Sequence, residues 1–354
     1  MNLKFTNKKI SGILSIVPEN RLKFLDEIDN YGFSREKSLK LQEVMGFDEH
    51  RIVEGNECAS DLCFFGLEYL FENGLLNKND IGALIFISQT PDHFMPPTSA
   101  ILHGKLGLGQ EVLCFDINHG CTAYLYGLLE AFLLLHHSDM GKIILMNADT
   151  LSRCACPNDR NIWPLIGDAG SITVIENANN KNDIFMNLRI DGTRYDSLII
   201  PAGAFRIPST EETREVKKFQ DGNQRSEEHL HMNGPAVFTF TQIEVPRAIK
   251  ELFEFANISM NTIEYFLFHQ PNKFILQKLA RKIGIPKDKM PCNIAEKYGS
   301  PSGASIPLTT CDSLRHILHT TKLNVCMSGF GVGLSWGALT MELGPLEFCE
   351  LLEK

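Results

Sequence analysis

The sequence lacks a hydrophobic segment long enough to cross a membrane. Its longest apolar runs, such as residues 131–135, are only a few residues long, whereas a transmembrane helix needs about 20. Residues 1–17 combine lysines with a short apolar stretch, and no small-residue cleavage site follows. This pattern predicts a first strand and not a secretory signal. We therefore expect a cytoplasmic protein with no membrane span.

Basic charge is also scarce. The formal net charge is -9, from 34 lysines and arginines against 43 aspartates and glutamates. Nucleic-acid-binding domains carry a dominant basic patch, so we expect no nucleic-acid partner. An acidic protein partner would have to bind a local cluster of cations.

The ten cysteines lack the spacing of a disulfide framework or a zinc site. Cys154 and Cys156 are separated by one residue, and no second pair follows at a useful distance. Free thiols in a cytoplasmic chain are the simplest interpretation, and most of them are expected to be small buried hydrophobes. We predict no metal and no redox cofactor.

The chain does have length and a regular alternation of apolar runs with helical periods. Its 354 residues are 44% hydrophobic, enough for two packed domains or one large duplicated fold. Buried strands are predicted at 81–88, 111–117, 142–148, 171–176, 265–269 and 323–329. Strands that alternate with helices are typical of an α/β protein with buried mixed or parallel sheets.

The two halves of the chain resemble each other. Residues 83–108 and 265–285 each run from a strand through a loop into a helix that ends at a glycine, which indicates an internal duplication. We predict an N-terminal half over 1–177, a connecting and capping segment over the charge-rich residues 178–230, and a C-terminal half over 231–354. Plain surface loops are the alternative for the middle segment.

Cys121 is the first candidate for chemistry. It follows a buried strand and a glycine turn and stands where a helix begins. Free backbone N–H groups and the positive end of the helix dipole favour a thiolate there, and a lowered pKa makes cysteine a better nucleophile. The alternative is a buried structural cysteine.

Two other features accompany it. His269 ends a predicted strand and can reach a crevice between the halves, although a histidine alone is more often a core residue. Residues 329–337 contain four glycines but lack the Lys-Ser/Thr of a phosphate-binding loop and the dinucleotide-binding spacing. This pattern favours close backbone packing, with one N–H aimed at a developing oxyanion.

Together these segments resemble 3-oxoacyl-[acyl-carrier-protein] synthase III and its relatives, over roughly residues 80–175 and 232–343. FDINHGC resembles the nucleophile segment and places the acylated cysteine at Cys121, and FLFHQPN places the catalytic histidine at His269. YGSPSGASIP and SGFGVGLSWG resemble the family's serine-rich turn and glycine-rich end. LIGDAGS and TPDHFMPPTSA are further matches, and six in order make chance an unconvincing explanation.

The resemblance implies a thiolase-like α/β fold, with duplicated halves that each contain a mixed sheet, in five layers αβαβα. It also implies a homodimer and a ping-pong reaction without a cofactor, in which Cys121 takes an acyl group from a thioester and a malonyl carrier then loses CO2 and attacks it. The backbone N–H groups of Cys121 and Val332 would form the oxyanion hole. Met95 would close the acyl pocket across the dimer interface, and Phe330 would contact substrate.

The sequence departs from the family pattern at the third catalytic residue. The family has asparagine where this chain has Ser300. A serine hydroxyl can donate only one hydrogen bond, and losing one such donor can cost on the order of 3 kcal/mol of transition-state stabilisation. Acyl transfer to an alcohol or amine, without decarboxylation, needs only Cys121, a histidine base and the oxyanion hole.

Donor recognition also departs from the pattern. Residues 35–52 lack the family's tryptophan, while Arg160 matches the arginine that flanks the adenine of coenzyme A, with an ordinary surface arginine as the alternative. We therefore expect more reliance on acyl carrier protein. His119 is unusual so close to the nucleophile and either tunes the thiolate, narrows the pocket or simply packs.

The carrier protein is acidic, so docking needs a positive patch. We predict that it contacts Lys273, Lys278, Arg281 and Lys282, for which a solvated helix face is the alternative. The leading hypothesis is a condensing enzyme of fatty-acid, polyketide or related metabolism. The others are an ester- or amide-forming acyltransferase and a non-catalytic subunit of a heterodimeric synthase. A biosynthetic thiolase is disfavoured because the glycine-rich end lacks a second cysteine.

Overall fold

The computed structural model describes residues 1–137, 140–179, 182–220 and 222–354. The strands are β1 Asn2–Thr6, β2 Lys8–Val17, β3 Arg21–Lys23, β4 Glu49–Arg51, β5 Ile81–Ile87, β6 Leu113–Ile117, β7 Lys142–Asp149, β8 Ala169–Asn177, β9 Asp183–Ile190, β10 Leu198–Ile199, β11 Lys217–Lys218, β12 Gln224–Arg225, β13 His231–Met232, β14 Tyr265–Phe268, β15 Leu323–Gly331, β16 Ser335–Leu343 and β17 Phe348–Glu353. The α-helices are α1 Phe24–Glu27, α2 Arg35–Met45, α3 Ala59–Glu72, α4 Thr98–Leu106, α5 Ala123–Leu134, α6 Glu211–Arg214, α7 Gly234–Ala256, α8 Lys273–Ile283, α9 Ile294–Lys297 and α10 Ser305–Leu318.

Two mixed sheets form the frame. The first has the order β17-β2-β8-β7-β5-β6 and the second the order β1-β9-β16-β15-β14. In the first sheet β2 and β8 are antiparallel, β8 and β7 are antiparallel, and β7 and β5 are parallel. The strands β9, β16, β15 and β14 repeat this sequence of directions in the second sheet. The repeated order confirms the predicted duplication.

The helices complete five layers. One hydrophobic core lies between the sheets and includes Leu125 and Leu128 of α5 and Cys311 and Leu314 of α10. A second core packs α3 and α4 on the outer face of the first sheet, and a third packs α7 and α8 on the outer face of the second. This αβαβα arrangement matches the predicted fold class. It sets the first turns of α5 and α10 in the centre of the molecule.

The predicted middle segment begins with a strand that the sequence analysis did not foresee. Residues 183–190 form β9, which pairs with β1 and β16 in the second sheet and corresponds to β2 in the first. The alternation of apolar and polar residues in β9 was obscured by the charged residues around it. The division at 177 and 231 otherwise stays a prediction.

The N-terminal segment also differs from a single strand. It forms β1 and β2, which belong to different sheets. Asn7 between them has φ 58°, a left-handed conformation that asparagine tolerates better than most residues. Across the described ranges, no helix is both long and apolar enough to span a bilayer.

Candidate active site

The candidate nucleophile Cys121 lies between β6 and the first turn of α5. A turn brings the Ala123 N–H to the Gly120 carbonyl at 2.7 Å, and α5 follows directly. The thiol is free and half-buried. The fold therefore places Cys121 at a helix N-terminus, as the sequence predicts.

The prediction that the pKa of this thiol is lowered was wrong. Burial raises the pKa of Cys121 above its ordinary value, while hydrogen bonds from the Val332 N–H, the Ser302 hydroxyl and its own N–H oppose the rise. Desolvation of the charged form outweighs these donors. A base is therefore needed to remove the thiol proton near neutral pH.

The backbone around Val332 comes from the turn between β15 and β16. The Val332 N–H donates to the Cys121 sulphur, and a Cβ on Gly331 would overlap that sulphur. Only glycine lets the chain approach so closely. The N–H groups of Cys121 and Val332 thus converge where the sequence analysis expects an oxyanion hole.

His269 follows β14 and is buried at 3% exposure. Its Nδ1 lies 2.8 Å from Ser305 Oγ, and the Ser305 hydroxyl donates to the Ser302 carbonyl at 2.7 Å. Because Ser305 has already used its single hydrogen, Nδ1 is the donor to Ser305. This tautomer leaves Nε2 with a free lone pair, as a base requires.

Burial also sets the charge of this histidine. It lowers the pKa of His269 to about 4, although the Ser302 backbone opposes the change. The ring is therefore neutral near pH 7 and can accept a proton. Phe330 packs against it edge-on, with ring centroids 5.5 Å apart.

Ser300 and Ser302 differ in their contacts. Ser300 lines the same cavity as Cys121 and His269, and its backbone N–H donates to the Leu165 carbonyl at 2.6 Å. Among the described residues, the hydroxyl that hydrogen-bonds to the Cys121 sulphur is that of Ser302, at 4.0 Å. Ser300 therefore lines the cavity, as predicted. Among the described residues, its hydroxyl forms no hydrogen bond with Cys121 or His269.

A buried polar chain leads to Ser302. The Gln89 side-chain amide donates to Ser302 Oγ at 2.9 Å and to Asp149 at 3.2 Å. Asp149 ends β7 and is buried, which raises its pKa to about 6. Sequence analysis missed Gln89, Asp149, Ser302 and Ser305. Polar residues at the ends of parallel strands were the available signal for Gln89 and Asp149.

A single cavity of about 710 Å³ connects these groups. Its walls are mostly apolar, and lining residues come from both halves and from the middle segment. Two lining residues, Asn161 and Asn233, are exposed, so the cavity reaches solvent beside them. A mostly apolar cavity of this volume that contains a cysteine and a histidine suits a thioester.

Arg160 lines this cavity. Its guanidinium is 4.2 Å from the centre of the Phe33 ring, and its backbone N–H donates to Asn223 at 3.2 Å. The sequence analysis noted the missing tryptophan but not Phe33, which gives Arg160 an aromatic neighbour. Arg160 is therefore positioned at the cavity and is not an isolated surface arginine.

His119 packs under the nucleophile segment. It stacks on Tyr126 at 4.1 Å, and its Nδ1 accepts the Gly120 N–H at 3.0 Å. Burial lowers its pKa to about 4. Thr122 lies 3.0 Å from the same nitrogen and 2.7 Å from Ser335. These contacts tie the start of α5 to β16, which agrees with the packing alternative.

Met95 is not brought to the cavity of its own chain. It is 78% exposed, beside the exposed pair Phe94 and Phe205, whose rings are 5.2 Å apart. A role for Met95 in closing an acyl pocket therefore requires a second copy of the chain.

The predicted docking residues lie on α8. Lys278, Arg281 and Lys282 are exposed and lie three or four residues apart, hence on one face. Lys273, at the start of the helix, pairs with Glu296 at 3.2 Å. Lys278, Arg281 and Lys282 therefore form the positive patch on α8, and the charge of Lys273 is partly balanced by Glu296.

Comparisons with known proteins agree with this geometry. The family models described as 3-Oxoacyl-[acyl-carrier-protein (ACP)] synthase III and its C terminal match residues 115–192 and 253–343. A Campylobacter jejuni protein provisionally named 3-oxoacyl-[acyl-carrier-protein] synthase 3 is 36% identical over 98% of this chain and 97% of its own. A Clostridium perfringens beta-ketoacyl-[acyl-carrier-protein] synthase III is 32% identical over 83% of this chain and 88% of its own.

A solved structure of the same family has the same fold. The 3-oxoacyl-(acyl-carrier protein) synthase from Burkholderia xenovorans superimposes with a TM-score of 0.92 at 32% identity, over 100% of this chain and 99% of the other. Sequence and fold thus agree along the whole chain. The protein belongs to the 3-oxoacyl-[acyl-carrier-protein] synthase III family and is an acyltransferase with the thiolase-like fold.

Proposed function

We propose that this enzyme forms an acyl-Cys121 intermediate and condenses it with a malonyl carrier by decarboxylative Claisen chemistry, in fatty-acid, polyketide or related biosynthesis. The observation that carries the proposal is one apolar cavity lined by Cys121 and His269, one from each half, with the Val332 N–H on the sulphur. The ten free thiols suit a reducing cytoplasm.

The first half-reaction moves an acyl group to sulphur. His269 Nε2 takes the thiol proton of Cys121, and the sulphur attacks the thioester carbonyl. The N–H groups of Cys121 and Val332 stabilise the oxyanion. The carbonyl then re-forms, the carbon–sulphur bond to the donor breaks, and the donor thiolate leaves with the proton from His269.

The second half-reaction forms a carbon–carbon bond. The malonyl carrier loses CO2, and the electron pair of the broken bond forms an enolate. The proposed hydrogen-bond donors to the enolate oxygen are the Ser300 hydroxyl and His269 Nε2, which first takes a proton from solvent because the neutral ring carries its hydrogen on Nδ1. The enolate carbon attacks the acyl thioester, the Cys121 thiolate leaves, and the proton on His269 Nε2 restores the thiol.

The decisive experiment separates the half-reactions. Purified protein is incubated with a panel of acyl thioesters on coenzyme A or on carrier protein, and malonyl carrier is then added. Mass spectrometry is expected to find acylated Cys121, then a 3-oxoacyl carrier and CO2, with Cys121→Ala as the unreactive control. No acylation by any donor would contradict a catalytic role and favour a non-catalytic subunit.

A second candidate is an ester- or amide-forming acyltransferase. It is favoured by Ser300 in place of asparagine and by the absence, in the described part of the chain, of a hydrogen bond from its hydroxyl to His269. Acylated Cys121 that malonyl carrier never discharges would put this reading ahead. A screen of alcohols and amines would follow.

We propose that the enzyme acts as a homodimer. The exposed side chains of Phe94, Met95 and Phe205 form an apolar patch, and such patches mark interaction sites. β6 is an edge strand of the first sheet and carries Leu113 at 44% exposure. A partner would cover both, and its Met95 would reach the acyl end of this cavity.

A further inference from the structure

Ser302 combines two features that set it apart from its neighbours. It is 3% exposed, and its φ of 45° lies in the left-handed region that non-glycine residues rarely adopt. Such a conformation costs free energy and persists where its surroundings hold it, often at functional sites. Its contacts are therefore worth tracing atom by atom.

The orientation of the Gln89 amide beside Ser302 follows from the contacts of Asp149. Asp149 accepts from the Gln89 backbone N–H at 2.7 Å and from Ser88 Oγ at 3.1 Å. An ionised carboxylate only accepts, so the Gln89 side chain must present its NH2 group to Asp149. The second hydrogen of that NH2 goes to Ser302 Oγ at 2.9 Å.

One hydrogen then remains on Ser302. Its oxygen already accepts from Gln89, and its single hydroxyl hydrogen has two acceptors in reach, the Cys121 sulphur at 4.0 Å and the Asp149 carboxylate. The Ser302 carbonyl accepts from Ser305, whose oxygen in turn holds His269 Nδ1. Residue 302 thus contacts the nucleophile through its side chain and is linked to the candidate base by its backbone carbonyl through Ser305.

We propose that Ser302 is a catalytic residue whose hydroxyl donates to the Cys121 sulphur and stabilises the thiolate, with Gln89 and Asp149 as its positioning residues. The inference rests on the proposed function in one respect, that Cys121 is the nucleophile. When His269 takes the thiol proton, the new charge on sulphur is held by the Ser302 O–H and the Val332 N–H. The sulphur–carbon bond to the acyl group forms next.

Other titratable groups surround the thiol. Asp149 ends β7 and its negative charge opposes the thiolate. His269 lines the same cavity from β14, and His119 lies two residues upstream on the turn before α5. Arg160 also lines the cavity, next to exposed Asn161. The Ser302 contribution must be measured against these groups, which the test variants leave in place.

The test uses two substitutions at one position. Ser302→Ala and Ser302→Gly both remove the hydroxyl, but only glycine is at ease with the positive φ. Alkylation of Cys121 by iodoacetamide is followed by peptide mass spectrometry from pH 6 to 10. Both variants are expected to react about tenfold more slowly at pH 7.5 and to show a pH midpoint about one unit higher, because a hydrogen bond to a charged group is lost.

A third variant tests the positioning residues. Gln89→Met keeps the shape of the side chain but removes its amide, so the Ser302 hydroxyl is free to rotate away from sulphur. A smaller upward shift of the pH midpoint is expected. Thermal unfolding of each variant reports whether it is folded, and the Gln89 variant serves if the glycine variant is not.

Two outcomes would overturn the proposal. An unchanged alkylation profile in both Ser302 variants would mean that the hydroxyl does not act on the sulphur. Slow alkylation in the alanine variant alone would assign the effect to backbone strain. Iodoacetamide needs no acyl donor, so a failure of the condensation reaction would leave this result standing, and the two proposals can fail separately.

Discussion

At the residue scale, the two histidines near the nucleophile are both kept neutral by burial. The pKa values of His119 and His269 are each lowered to about 4. The neutral ring suits a base at His269. At His119 it suits an acceptor, since Nδ1 accepts from a backbone N–H.

This neutrality has a consequence for stability. A buried histidine whose pKa is lowered stabilises the fold at pH values above its unfolded pKa, which is about 6.5. This contribution is lost as the pH falls through the folded pKa, which is about 4 for His269. The free energy of unfolding should therefore decrease from pH 7 to pH 4. For fully buried His269 the loss is at most about 3 kcal/mol.

Chemical denaturation at several pH values measures this effect. His269→Asn is expected to show a shallower decrease than the parent, because asparagine does not titrate. Burial raises the pKa of Asp149, so that group stabilises the fold as the pH falls through about 6, but it does so in both proteins and cancels in the difference. His93→Asn, at an exposed histidine, controls for the substitution itself. Identical slopes for parent and His269→Asn would contradict the assignment.

At the scale of the secondary-structure elements, the β6–α5 and β15–β16 turns set the distance between Cys121 and the backbone N–H of Val332. Gly120 precedes Cys121, and a Cβ there would overlap the side chains of Val332 and Gln89. Gly120→Ala should separate the β6–α5 turn from the β15–β16 turn. We expect a loss of about 1–3 kcal/mol of stability and at least about a tenfold slower acylation of Cys121, because a small misplacement at a reacting centre can be this costly.

Gly104→Ala is the matched control. Gly104 lies in α4, and a Cβ there would meet no heavy atom within 4 Å. It should leave acylation unchanged and stabilise the helix by about 0.5–1 kcal/mol. Thermal unfolding and acylation kinetics measure both variants. Parent-like acylation by Gly120→Ala would show that the two turns tolerate separation.

Helix α8 provides the second test at this scale. Arg281→Glu combined with Lys282→Glu reverses two charges of the positive patch on α8, the helix whose first turn lines the cavity. We expect the KM for acyl carrier protein to rise about tenfold or more at low salt, and less at 0.15 M salt, where the screening length is about 8 Å. Acylation by a small thioester should not change.

The charge change needs its own control. Lys4→Glu combined with Lys322→Glu makes the same change at two half-exposed lysines outside the cavity lining. This variant should keep a parent-like KM for the carrier. Equal losses with carrier and with small thioester in the α8 variant would rule out docking at this helix.

At the scale of the whole molecule, the apolar surface predicts assembly. Phe94→Asp combined with Phe205→Asp places two charges on the exposed patch and should shift the sedimentation coefficient from dimer to monomer. Acylation should fall with it if the partner's copy of Met95 closes the pocket. Ile243→Asp changes an exposed residue of α7 and should sediment as the parent does. If the double variant stays dimeric, the dimer interface does not include Phe94 and Phe205.

Much of this molecule could be predicted from its sequence. The strands β7, β14 and β15 are mostly apolar runs that end at Asp149 or just before His269 and Val332, so the sequence pattern located them within about two residues. His269 directly follows such a run, Cys121 follows one through a glycine turn, and both lie in recognisable segments. β9 was missed because charged residues on either side concealed its alternation of apolar and polar residues. Its pairing with β1 and β16 is a tertiary property that local sequence does not show.

The finer chemistry of the site could not be predicted. The sign of the Cys121 pKa shift depends on burial, which a helix-terminus argument leaves out. Ser302 and Ser300 are two residues apart, and only the backbone turn at positive φ decides which hydroxyl contacts the sulphur. Phe33 was invisible as a neighbour of Arg160 because 127 positions of sequence separate them.

The short ladder of β10 with β13 pairs Leu198 with Met232, and both side chains line the cavity together with Leu230. The hydrogen-bonded groups at Cys121 and His269 come instead from the two halves. On the proposed function, the reacting groups and this part of the cavity wall are therefore encoded by different stretches of the gene. Recombination that exchanges residues 198–232 between relatives would alter the wall and leave Cys121 and His269 in place.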